Sequence, residues 1–338
     1  MKIDLRSDTV TKPTGDMKKA MFEAEVGDDV FNEDPTVNAL QAKTATMFGM
    51  ESGLFCPSGT MTNQIAIKVH TKPLHEVICD KTAHIYNYEG GGIAFNSAAS
   101  VRLLDGVLGK ISPAQIEANI NPDNVHYPIT SLVSIENTCN RGGGGYYTIE
   151  EMQAISDVSR KNNLKLHLDG ARIFNALVAM NKSAKELSGM FDSISICLSK
   201  GLGIPVGSVL IGNKDFIQKA RRVRKVLGGG MRQAGYLAAA GIYALDHHIE
   251  RLQDDHRRAL ELAEAVQQLP FVEEMLPVKT NIVVFKLKDE MPQDRFLHIL
   301  AEKDILAVAF GHQTVRMVTH LDIDDEMILK VNEVLRNL

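Results

Sequence analysis

Leu164-Lys165-Leu166-His167-Leu168-Asp169-Gly170-Ala171-Arg172 and Ser193-Ile194-Ser195-Ile196-Cys197-Leu198-Ser199-Lys200-Gly201 share one plan. Each is a short apolar run that stops on a charged residue with small residues beside it, the signature of a strand buried in a sheet. Runs at 74–79 and 131–135 have the same character, and amphipathic helical patterns at 148–162 and 184–190 lie between strands. Thr148-Ile149-Glu150-Glu151 carries a capping-box arrangement at a helix start. Strand, helix, strand at this spacing predicts an α/β fold with a mostly parallel sheet covered by helices on both faces. Beyond residue 233 the pattern changes. One long helix is expected over 233–269, ended by Pro270, then strands at 281–287 and 315–319 around a helix at 293–303. That is a smaller α+β unit, giving an N-terminal segment 1–20, a large domain 21–245 and a small domain 246–338.

At 338 residues the chain exceeds what one hydrophobic core usually organises. Its 37 Lys+Arg against 42 Asp+Glu leave a net charge of −5, which removes the electrostatic footprint of a nucleic-acid binder. The longest apolar stretch, 236–245, is half of the roughly 20 residues a membrane span needs. No secretion signal is read in the charged N-terminus, so a cytoplasmic protein without membrane partners is expected. The four cysteines form no CxxC pair, and Cys56, Cys79 and Cys197 sit in apolar runs as buried thiols; no metal site is expected.

In an open parallel sheet, ligands bind beyond the carboxyl ends of the strands, so the residues just after each strand carry the chemistry. Ser58, Gly59 and Thr60 open a helix whose free N–H groups can cradle a phosphate, or the two hydroxyls simply cap it. Asp169 follows one strand, either as a site residue or as a cap for the next helix. Lys200 closes another, where desolvation favours nucleophilic use. Neither GxxxxGK[ST] nor GxGxxG fits, which disfavours a nucleotide-dependent dehydrogenase. Phosphate cradle, Asp and Lys in that order match what pyridoxal phosphate requires: a Schiff-base lysine, a carboxylate for the pyridinium nitrogen and a helix end for the phosphate. His167 reads as a core histidine. His247-His248 and Asp254-Asp255-His256 read as a solvated helix face.

The chain resembles the threonine aldolase family, pyridoxal-phosphate fold type I, over nearly its whole length. The matching segments are Ile3-Asp4-Leu5-Arg6-Ser7-Asp8-Thr9-Val10-Thr11, Val26-Gly27-Asp28-Asp29-Val30, Pro57-Ser58-Gly59-Thr60, Ala83-His84, Leu168-Asp169-Gly170-Ala171-Arg172, Leu198-Ser199-Lys200-Gly201-Leu202-Gly203, Gly228-Gly229-Gly230-Met231-Arg232-Gln233 and Val315-Arg316-Met317-Val318-Thr319-His320-Leu321. The resemblance implies a Schiff base on Lys200, Asp169 at the pyridinium nitrogen and His84 stacked on the ring. Ser58, Gly59 and Thr60 would hold the phosphate, with Arg232 reaching it from a neighbouring subunit. Ser7, Arg172 and Arg316 would clamp the substrate carboxylate, and His126 matches a family histidine near the substrate hydroxyl.

The implied reaction is Cα–Cβ scission of L-threonine or L-allo-threonine to glycine and acetaldehyde, within amino-acid metabolism. His84 and His126 are both candidates to remove the hydroxyl proton. A homotetramer, as a dimer of dimers with sites at the dimer interface, is implied as well. The alternative on the same constellation is a β-eliminating lyase or aminotransferase; a non-catalytic binder should have lost Lys200 or Asp169. Two departures stand out. Phe31 replaces the usual Tyr after Gly27-Asp28-Asp29-Val30, and Cys139 replaces His after Glu136-Asn137-Thr138, followed by Arg141-Gly142-Gly143-Gly144-Gly145. Both are expected to alter the rim of the site.

Overall fold

The computed structural model of the chain describes residues 2–338. Its strands are β1 (Ile3–Asp4), β2 (Ser52–Cys56), β3 (His75–Asp80), β4 (Ser100–Leu104), β5 (Ile129–Glu136), β6 (Lys165–Gly170), β7 (Ser193–Cys197), β8 (Ser208–Gly212), β9 (Val272–Met275), β10 (Ile282–Leu287), β11 (Ile305–Leu306), β12 (Val308–Gly311) and β13 (Thr314–Val318). The large sheet has the order β2-β8-β7-β6-β5-β3-β4. Strands β4, β3, β5, β6 and β7 pair in parallel, while β8 runs antiparallel between β7 and β2. The mostly parallel sheet expected from the sequence is therefore present. Its inner strands are buried on both faces, which is why they read as near-continuous apolar runs.

Register puts the chemistry at one edge. Glu136 of β5 lies opposite Asp169 of β6, which lies opposite Ser195 of β7. Cys197 and Cys56 both face Ser208 of β8, so the segments leaving β2, β6 and β7 emerge together. Helices α1 (Gly15–Phe22), α2 (Pro35–Met47) and α3 (Gly59–His70) begin on side chains that satisfy free N–H groups: Thr14, Asp34 and Ser58 accept from Met17, Val37 and Met61. The capping box read at Thr148 and Glu151 opens the helix Ile149–Lys161.

A four-stranded antiparallel sheet, β12-β13-β10-β9, forms a second core with the helices Leu252–Gln267, Gln293–Glu302 and Asp325–Arg336. Ile3 and Leu5 join that core because β1 pairs in parallel with β11, whereas Met17 already belongs to the core of the large sheet. The N-terminal segment thus crosses from one core to the other, and Ser7 and Asp8 lie on the crossing.

Three readings need correction. The span 233–269 holds two helices, Gly235–His247 and Leu252–Gln267. No Gly or Pro marks the break, so periodicity alone runs through it; the turn is held by His248, which is 5% exposed and whose Nδ1 pairs with the Leu202 carbonyl at 2.7 Å. Asp255 and His256 do not face solvent either. Asp255 is buried against Arg251, and burial pushes the His256 imidazole down to about 4. Finally, 184–190 contains only a short 3-10 turn, Ala184–Leu187.

Candidate active site

The anionic floor of the site is built on β5, β6 and the start of α3. Asp169 is 3% exposed; its Oδ2 accepts from Asn63 Nδ2 at 2.9 Å and its Oδ1 from the Ala171 amide at 3.1 Å. It makes no ion pair among the described residues. Beside it, the fully buried Glu89 side chain accepts from Asn63 Nδ2 at 2.9 Å, Gln64 Nε2 at 2.7 Å and His84 Nδ1 at 3.0 Å. Burial opposes the charged form of His84, but the Glu89 hydrogen bond and the Asp169 carboxylate outweigh it and hold the imidazole above its ordinary 6.5. Because Glu89 accepts, Nδ1 of His84 carries a proton, and Nε2 is free to take one. Glu136 lies beneath, accepting from the His84 and Asn140 amides; burial and the adjacent Asp169 raise its carboxyl above the usual carboxylate range.

His84, Glu89 and Asp169 also bring three ligand atoms within 4.8 Å of one another. Their oxygens are already engaged by amide and imidazole donors.

Lys200 stands half-buried in the turn after β7, its backbone carbonyl accepting from Thr11 Oγ1 at 3.1 Å. Its charge is felt at both Asp8 and His84. The chemistry of this donor set fits pyridoxal phosphate. A buried carboxylate held only by neutral donors suits a protonated ring nitrogen, a nearby lysine suits an aldehyde, and the exposed Ser58 and Thr60 leave the N-terminus of α3 accessible to a phosphate.

The opposite wall is cationic. Arg172 is 6% exposed and its guanidinium is held by Asp8, Nε to Oδ2 and Nη2 to Oδ1, both at 2.7 Å. Burial raises the Asp8 carboxyl, yet Arg172 overcomes this and draws it down to about 2. Arg172 therefore keeps three of its five N–H groups, the two on Nη1 and the second on Nη2, for any other anion. Arg316 is different: Nη1 donates to Asn140 Oδ1 at 2.8 Å, Nη2 to the Arg6 carbonyl at 3.0 Å, and its buried Nε has no partner. Burial and the neighbouring Arg172 pull Arg316 down to about 10. Arg141 adds a third guanidinium, and the Phe310 ring has Arg141 at 4.1 Å and Arg316 at 4.7 Å from its centre. Ser7 borders this wall, accepting from Thr9 as the cap of a short turn.

Two residues stand apart within one protomer. His126 precedes β5, whose carboxyl end carries Glu136; seven strand steps of about 3.3 Å put Ile129 roughly 23 Å from the site edge. His126 is exposed and its amide donates only to Asn124. Arg232 is exposed as well and pairs with Asp28 at 2.8 Å.

The two departures also separate. Phe31 is 70% exposed. Cys139 is buried, its Sγ donating to the Glu136 carbonyl at 3.1 Å, so it lies under the site and not on its rim. Arg141, two residues on, is what reaches the rim. The glycines after it close this loop tightly: a Cβ on Gly142 would stand 1.9 Å from the Leu108 carbonyl oxygen.

The sequence alone gives no role to Asp8, Asn63 or Glu89. Asp8 lies in the segment 3–11, and nothing local shows that it faces Arg172, 164 positions away. Asn63 and Glu89 follow helix and turn signals that explain a polar residue without chemistry.

The beta-eliminating lyase family model matches residues 4–290. The low specificity L-threonine aldolase of Escherichia coli K12 is 42% identical over 330 residues, 97% of each chain. The probable low-specificity L-threonine aldolase 2 of Arabidopsis thaliana is 40% identical over 98% of this chain and 96% of its own. Among solved structures, the Leishmania major threonine aldolase superposes with a TM-score of 0.86, covering 99% of both chains at 22% identity, a likeness of fold.

Proposed function

The chain belongs to the beta-eliminating lyase family and within it to the low-specificity L-threonine aldolases, and from that premise we propose how its residues divide the work of a carbon–carbon lyase. The fold is that of pyridoxal-phosphate-dependent enzymes, and the substrate is a small β-hydroxy-α-amino acid, L-threonine or L-allo-threonine. The observation that carries the assignment is Asp169, a buried carboxylate without a cation, one strand away from Lys200. Bound there, pyridoxal phosphate supplies an electron sink for the pair left on Cα when Cα–Cβ breaks. Lys200 is the amine that would hold its aldehyde carbon, and Ser58, Gly59 and Thr60 would receive its phosphate at the N-terminus of α3.

Arg316 fixes the substrate carboxylate, helped by Ser7 and the free Nη1/Nη2 edge of Arg172, and so fixes which bond at Cα is broken. His84 acts on the far side. With Nδ1–H given to Glu89, its Nε2 accepts the β-hydroxyl proton as the hydroxyl oxygen becomes the aldehyde carbonyl. A proton returned to Cα then yields glycine.

The finer terms rest on exposure. Phe95, Val125, Phe31 and Ile129 are 89%, 96%, 70% and 60% exposed, apolar side chains that suit contact with further copies of the chain. A homotetramer would let His126 and Arg232 serve a neighbouring protomer's site, since within one protomer His126 stands across the sheet. No described helix is long and apolar enough to cross a membrane; a cytoplasmic location is part of the same proposal.

The test is acetaldehyde release from L-threonine and L-allo-threonine with added pyridoxal phosphate, for the native chain and Lys200→Ala. Release that is lost in the variant is expected. No release from either isomer, with cofactor bound, would move the assignment to an eliminating lyase or aminotransferase.

A further inference from the structure

Helix α3 packs on a part of the sheet that is polar where an apolar seam would be expected. On β6, Leu166 and Leu168 point one way while His167 and Asp169 point to α3; on β7, Ser193 and Ser195 do the same. All four are almost fully buried, with Asn63 at 2%. Such groups are costly to bury unless every donor and acceptor is matched.

Here the matching has one direction. Asp169 and Glu89 can only accept, so Asn63 must present its NH₂ to both, one N–H to Asp169 Oδ2 and the other to Glu89 Oε1, each at 2.9 Å. That turns Asn63 Oδ1 toward His167 Nε2 at 3.1 Å, and this nitrogen must carry the proton. His167 Nδ1 is then an acceptor and receives the hydrogen bond that the Ser193 hydroxyl donates at 2.8 Å; the Ser193 oxygen in turn accepts from His70 Nε2 at 2.8 Å. Burial keeps both imidazoles neutral, holding them well below the ordinary imidazole value. Every bond in the chain from His70 onward points its proton toward the two carboxylates.

We propose that Asn63 is a positioning residue that shares one amide between the carboxylate facing the cofactor and the carboxylate that orients His84, and that His70, Ser193 and His167 form the donor chain that locks the amide's orientation. The proposal rests on the roles given above to Asp169 and His84. An amide turned the other way would set its oxygen against two carboxylates. Both would lose a donor, and Asp169 would be driven toward its protonated, unhelpful form.

The decisive readout needs no turnover. Nitrogen-15 spectra of the full chain with labelled histidine should show His167 and His70 as neutral Nε2–H tautomers, their signals assigned by loss in His167→Gln and His70→Gln. An Nδ1–H tautomer or an imidazolium at His167 in the native chain overturns the proposal, whatever the variants do. Two substitutions then read the consequence. His167→Phe removes the donor and should weaken pyridoxal phosphate binding and lower kcat by about tenfold each, with the KM for L-threonine unchanged. His167→Gln keeps an N–H near the Nε2 position and should restore both to within about threefold. A folded His167→Phe with native cofactor affinity and kcat would sink the idea. Should the native chain release no aldehyde at all, tautomers and cofactor affinity still judge the donor chain alone; native turnover with the wrong tautomer condemns the donor chain and leaves the aldolase reading intact.

Discussion

The two walls of the site are opposites in charge and alike in design. On the floor, Glu89 is matched by His84 and amides while Asp169 has no cation; on the N-terminal wall, Arg172 is matched by Asp8 while Arg316 has no carboxylate. Of the two charges compared on each wall, one serves the protein's own architecture and one is left for a ligand. Removing the internally paired charge should therefore damage the scaffold or tune a neighbour, and removing the unpaired one should damage function.

The sharpest contrast comes from Asp8. Asp8→Ala leaves Arg172 buried without a partner and should cost about 3–5 kcal/mol of unfolding free energy, read by denaturant melts. The same pair sets an acid limit. The folded carboxyl is depressed from 3.8 to about 2, so its stabilisation is complete above 3.8 and lost as pH falls towards 2. Stability of Asp8→Ala should accordingly be flatter than native over that interval. An unaltered acid profile would mean that Asp8 is not the proton-linked group.

Asp169→Asn tests the unpaired charge on the floor. It should fold normally and lower kcat by about 10²–10³, as expected for removing a preorganised electrostatic partner. Arg316→Ala tests the unpaired charge on the other wall. Losing a charge-assisted contact of about 1.5–3 kcal/mol should raise the KM for L-threonine by about tenfold or more, with the spectrum of the bound cofactor unchanged. Cofactor loss in Arg316→Ala would break the comparison, because it would make Arg316 part of the scaffold.

The smallest effect is expected at Glu89. Its hydrogen bond raises His84, and the base works in its deprotonated form, so the rate should rise as pH passes upward through a midpoint above 6.5. Glu89→Gln removes the anion and should move that midpoint to lower pH. A midpoint that stays in place would take the proton-accepting role away from His84.

Much of this is legible in the sequence because parallel strands buried on both faces leave a strong local mark. The runs ending at Asp169 and Lys200 announced strand ends, and strand ends are where such sheets bind ligands. Thr148, with Glu151 three residues on, announced its helix for an equally local reason. The reading failed where a decision was not local. His248 closes a helix by reaching the carbonyl of Leu202, and Asp255 is sealed under Arg251, yet both sit in a run whose periodicity looks solvated.

From residues alone came the sheet, the order of cradle, aspartate and lysine along it, and the cofactor chemistry that this order suits, since each follows from patterns a few residues long. Pairing belonged to the folded molecule. That Arg172 is held by Asp8 and Arg316 is not, that Asn63 joins Asp169 to Glu89, and that His126 stands across the sheet from Lys200 all depend on contacts between segments far apart in the chain. Charges of one kind look alike in a sequence, and only burial beside a partner, or without one, separates a strut from a binding group.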